Sequence, residues 1–79
     1  MPDDVISRVI RVIAETQRIP LETVKPDSTF EELKIDSLDG INIVFAIENE
    51  FHINVPDDAA KSLRSVRDVA EGVEKLLAV

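Results

Sequence analysis

Residues 36–51 read DSLDGINIVFAIENEF, and most of the architecture follows from them. Asp36 suits a helix N-cap, and Asp39 falls three residues on, among the free amides of the first turn. The apolar pattern then runs to Phe51, which predicts a helix about 22 Å long. At 100° per residue, Ile43, Val44, Ile47 and Phe51 share one arc, wide enough to face a bundle core. Leu38, Ile41 and Phe45 fall on a second arc, beside Asn42, Glu48 and Asn49. Two readings are open for that second arc. It is either covered, by the long loop upstream or within a widely buried helix, or it is a docking strip with an apolar centre and an acidic rim.

Outward from this segment, helical periodicity dominates both flanks. Val5, Ile6, Val9, Ile10, Val12 and Ile13 define one face of a first helix, with Arg8, Arg11, Glu15 and Arg18 opposite. Asp3 and Asp4 sit where caps and the helix dipole favour acids. Pro20 ends that helix by pushing Ile19 out of the α region. Residues 19–35 form a long connection, for which Leu21, Val24, Phe30, Leu33 and Ile35 are the expected apolar anchors. Within it, Thr29-Phe30-Glu31-Glu32 has capping-box spacing and predicts a single turn. Downstream, Asp57 is the expected N-cap of a short third helix ending near Ser62. Ser65-Val66-Arg67-Asp68 opens the last helix, with a core stripe of Val66, Val69, Ala70, Val73, Leu76 and Leu77 and an i,i+4 pair between Glu71 and Lys75. The expectation is an all-α fold: a small four-helix bundle with three longer helices, one short third helix and a long loop between helices 1 and 2.

The chain has 79 residues, 44% hydrophobic and 32% charged, which predicts one globular domain over 1–79. No Cys is present, so disulfides, thiolate metal sites and cysteine nucleophiles are excluded. The net charge is −7, a sign that disfavours nucleic acid and anionic membranes and favours basic protein partners. From Ile35 to Ala60 six acids (Asp36, Asp39, Glu48, Glu50, Asp57, Asp58) stand without a single Lys or Arg. The start of the chain lacks the basic and apolar regions of a signal peptide, and no apolar run is long enough to span a bilayer. A soluble, cytoplasmic monomer with no stable membrane insertion is expected.

Catalysis by the chain alone is hard to build. The single histidine, His52, is about 22 Å along the same helix from Ser37, too far for a Ser-His-Asp triad. A calcium loop starting at Asp36 would put Leu38, Ile41 and Ile47 where oxygen ligands or a turn glycine are required. Asp57 and Asp58 are explained by helix capping. Neither catalytic residues nor a metal site are expected. Ser37 begins a helix, with its hydroxyl directed to solvent beside unpaired amides.

Ile35-Asp36-Ser37-Leu38-Asp39 resembles the phosphopantetheine attachment motif of acyl carrier proteins. The likeness extends to Phe30-Glu31-Glu32-Leu33 upstream and to the acidic-aromatic-turn-Pro-Asp stretch over residues 48–57, and the order of elements fits from Val5 to Leu77. This resemblance implies a carrier rather than a catalyst. A phosphopantetheinyl transferase would use Mg²⁺ to attach 4′-phosphopantetheine covalently from coenzyme A to Ser37 Oγ, with Asp36 and Leu38 in the recognition motif. The arm's thiol would hold acyl groups as thioesters for fatty-acid, lipid or related polyketide-type synthesis. Asp39, Ile41, Asn42, Phe45 and Glu48 match positions that contact partners, namely acyl-transferring and chain-elongating enzymes with basic docking surfaces. Ile47, Val55 and Leu63 are candidate walls for an acyl chain folded between helices. Lys34 stands where many members have Gly, Asn42 and Asn49 replace frequent Glu, and Gly40 is a weak helix former. These departures favour a specialised carrier. The competing expectation is a non-modified acidic helical module that binds a protein through the strip.

Overall fold

The computed structural model describes residues 4–77. Asp3, expected near the first cap, lies outside them. Among the described residues the chain forms α1 (Val5–Gln17), a 3₁₀ turn (Leu21–Thr23), α2 (Ser37–Phe51), α3 (Asp57–Lys61) and α4 (Val66–Leu77). This is the expected all-α architecture, with one added short turn in the long connection.

Three of the four helices begin at a side chain that accepts one of their free amides. Asp4 caps α1 by accepting the Ser7 N–H at 2.9 Å. Hydrogen bonds from Ser7 hold the Asp4 carboxyl below its ordinary range. This cap therefore stabilises the fold above the pKa of an unfolded Asp and is lost as pH falls through the lowered value. Asp36 caps α2 in the same way, accepting from Asp39 N at 2.9 Å, an interaction worth about 1 kcal/mol. At α4, Ser65 Oγ accepts from Asp68 N, and Asp68 in turn accepts from Arg64 N. The expected cap of α3 is corrected by one residue. Pro56 is the N-cap and Asp57 the first helical residue. Proline already holds the extended backbone that an N-cap needs, so the acids fall inside the first turn, where the dipole favours them.

α1 packs against both α2 and α4. Val9, Ile13, Ile43, Ile47, Val66 and Val73 are the fully buried centre, with Val12, Phe51, Val69 and Ala70 around them. The core arcs expected for α1 and α2 are present. In α4, Leu77, the last helical residue, instead remains 47% exposed. Glu71 and Lys75 do not form their expected ion pair among the described residues. Both instead border a cavity.

The long connection is tied down by its own backbone. Phe30 N donates to Arg64 O, and Val66 N donates to Ser28 O, at 2.9 and 3.0 Å. The capping box closes as expected, with Thr29 N bonded to Glu32 Oε1 and Glu32 N to Thr29 Oγ1. Val24 and Ile35 are buried and Phe30 and Leu33 half-buried, but the fifth expected anchor, Leu21, is 56% exposed. It belongs to the 3₁₀ turn and projects from it.

The separate turn opened by the Thr29–Glu32 box ends at Lys34, whose φ of 59° is left-handed, the region where a β-carbon carries a cost that glycine avoids. The position where many carriers have Gly is therefore one where the backbone asks for it. Lys34→Gly should raise stability by up to about 1 kcal/mol, after allowance for the freer unfolded chain. Chemical denaturation checks this, and a clear loss of stability would mean that the lysine side chain has a structural contact.

One long-range cluster was not visible in the sequence. Arg8, expected on the outer face of α1, lays its guanidinium 4.4 Å from the centroid of the Phe51 ring. It also donates to Glu50 Oε2 and to the Glu50 carbonyl, at 3.0 and 3.1 Å. Arg11 reaches the same carboxylate. The pair is about one-third exposed, so its electrostatic worth is screened. The stacked guanidinium and the satisfied helix-end carbonyl do more to fix α1 against the end of α2.

Candidate functional site

Ser37 is the first residue of α2 and is exposed. Asp36, just before it, holds the helix entry in extended backbone and takes up the Asp39 amide. Gly40 N reaches the Asp36 carbonyl. The amides of Ser37 and Leu38 are left without a protein partner among the described residues, and so is the Ser37 hydroxyl. A free hydroxyl thus stands at the positive end of a fifteen-residue helix, beside two unpaired donors suited to a phosphate.

The second arc of α2 is uncovered. Leu38 is 73%, Ile41 50% and Phe45 59% exposed. The long loop lies elsewhere, against the α3–α4 connection, which excludes the buried reading of these three residues. Asn42 is exposed and Asp39 half-buried beside them. The acidic segment, however, does not present six equivalent charges. Glu50 is turned to α1 and paired with Arg8 and Arg11, and the half-buried Glu48 accepts the Val55 N–H at 2.8 Å. His52 is the left-handed C-cap of α2, with its N–H on the Glu48 carbonyl, the helix-end role expected of it. Among the described residues no group of three or more His, Asp or Glu is placed to hold a metal ion.

A cavity of about 390 Å³ opens between α2, α3 and α4. Ile47, Val55 and Leu63 line it as expected, joined by Val44, Ala59 and Leu76. No helix of the described residues is long and apolar enough to cross a membrane.

Residues 7–73 match the family model for the phosphopantetheine attachment site. The chain belongs to the acyl carrier protein family. It is 38% identical over 74 residues to the acyl carrier protein of Rickettsia bellii, covering 92% of this chain and 86% of that one. To the mitochondrial acyl carrier protein of Dictyostelium discoideum it is 36% identical, over 91% of this chain but 60% of the longer relative. The crystal structure of an acyl carrier protein from Thermotoga maritima superposes with a TM-score of 0.80 at 34% identity, over 92% of this chain and 86% of that one. A carrier of this family bears phosphopantetheine, and the exposed, unpartnered hydroxyl at the head of α2 fits that group.

Proposed function

We propose that Ser37 Oγ is the attachment point of 4′-phosphopantetheine and that the chain carries acyl groups for fatty-acid or related synthesis. The observation that carries this reading is the state of Ser37: an exposed hydroxyl, free of protein partners, at the start of a capped helix in a chain of this family. When attached, the arm supplies the thiol on which acyl groups are held as thioesters. The protein's own contribution is to fix the point of attachment. Asp36 holds the helix end, and the unpaired amides of Ser37 and Leu38 stand beside the ester position.

Leu38, Ile41 and Phe45 form the apolar centre of a docking face for the transferase and for acyl-transferring enzymes. Asp36, Asp39 and Asn42 lie around it, and charge complementarity selects partners with basic surfaces. The apolar cavity between α2, α3 and α4 receives the acyl chain, whose burial stabilises it by about 0.8 kcal/mol per methylene. Lys34, Gly40, Asn42 and Asn49 support a specialised rather than a general carrier.

Incubation of the folded chain with coenzyme A, Mg²⁺ and a broad-specificity phosphopantetheinyl transferase tests the reading. Intact mass should rise by one phosphopantetheine. A folded chain that gains none would be an acidic interaction module whose serine is only part of a helix start.

A further inference from the structure

Glu48 accepts three main-chain amides where α2 gives way to the following connection, and one of them belongs to the cavity-lining Val55. Its carbonyl accepts from His52 N and, at 3.2 Å, from Ile53 N. Its carboxylate reaches seven residues along the chain to accept from Val55 N at 2.8 Å in a part-buried setting. Val55 and Pro56 line the cavity on one side, with Val44 and Ile47 of α2 facing them. Among the described residues, no other α2 side chain bonds to the connection between α2 and α3. That connection carries few buried groups: Ile53 and Val55 are half-buried, and Asn54 and Pro56 are exposed. Ile53 anchors the start of the connection by packing against the core, and the bond from the Glu48 carboxylate to Val55 N is the side-chain tether of its cavity-lining end.

We propose that Glu48 is a positioning residue for acyl sequestration: its carboxylate holds the Val55 wall against α2 and so keeps the cavity shaped for a chain. This assigns Glu48 a role directed inward, in addition to the rim position expected of it. The proposal rests on the reading that the cavity takes the acyl chain. What matters is the acceptor rather than the charge, because a glutamine at this position offers the same oxygen to the Val55 amide.

Two substitutions separate the acceptor from the charge. Amide hydrogen exchange on the unloaded protein should show Val55 protected in wild type, protected to within about threefold in Glu48→Gln, and exchanging at least tenfold faster in Glu48→Ala. The amides of Ile13 and Val69, in the core of α1 and α4, serve as the fold control and should not change. Equal Val55 protection in all three proteins would overturn the proposal whatever the cavity holds. The same proteins, loaded from octanoyl-coenzyme A by the transferase, are then exposed to hydroxylamine. The thioester should be cleaved several-fold faster in Glu48→Ala than in wild type or Glu48→Gln. Equal cleavage in all three would overturn the link from Val55 to the chain. Wild-type cleavage as fast as that of free octanoyl-pantetheine would overturn the cavity reading itself, and the proposal with it.

Discussion

Alanine in place of Ser37 abolishes loading and leaves the fold nearly unchanged. The hydroxyl makes no hydrogen bond among the described residues, and the cap of α2 is the Asp36 carboxylate on the Asp39 amide. Removing an exposed hydroxyl from the first helical position should cost no more than a few tenths of a kcal/mol, since alanine is the better helix former. Intact mass after transferase treatment should show no gain, and thermal unfolding should overlay the parent curve. Loss of cooperative unfolding would make Ser37 a structural residue and weaken its assignment as the attachment point.

Phe45→Ala should separate binding from stability just as sharply. A buried phenylalanine truncated to alanine costs about 3–5 kcal/mol of folding stability. Phe45 is 59% exposed, and its removal should cost well under that. Its loss should instead be felt by the transferase. An apolar side chain at the centre of an interface contributes about 1–3 kcal/mol, mostly through slower dissociation, with little dependence on salt. Asp39→Asn gives the contrasting signature of slower association, with a difference that shrinks as ionic strength rises. Glu48 is unsuited to that comparison, because reversing its charge also breaks the bond to Val55. Unchanged loading kinetics in Phe45→Ala would remove the centre of the docking face.

Local chemistry was legible in the sequence because it acts over a turn or less. Asp36 capping α2, the Thr29–Glu32 box, and the separation of Ile43, Ile47 and Phe51 from Leu38, Ile41 and Phe45 all follow from spacing along one helix or one turn. The exposed helix-start position of Ser37 was legible for the same reason, whereas its proposed role as attachment point came from the family resemblance. What escaped depends on contacts between distant segments. Arg8 reads as a solvent-facing residue of α1 until Glu50 and Phe51, more than forty residues away, are brought beside it. Glu48 reads as a free acid until the chain turns back at His52 and presents the Val55 amide. Leu21 and Leu77 are apolar and correctly spaced, yet each sits at the end of an element and stays about half exposed. The walls Ile47, Val55 and Leu63 came from family resemblance. No periodicity in α3 or α4 indicates that a cavity opens between them and α2.

Site-resolved fragmentation of the loaded wild-type protein tests the central claim most directly. Serine also occurs at positions 7, 28, 62 and 65, so a gain in mass alone does not name the residue. Fragment ions that bracket position 37 should carry the whole added mass on Ser37 and none on the other hydroxyls. The arm found on any other residue, or a folded chain that takes up none, would contradict the account.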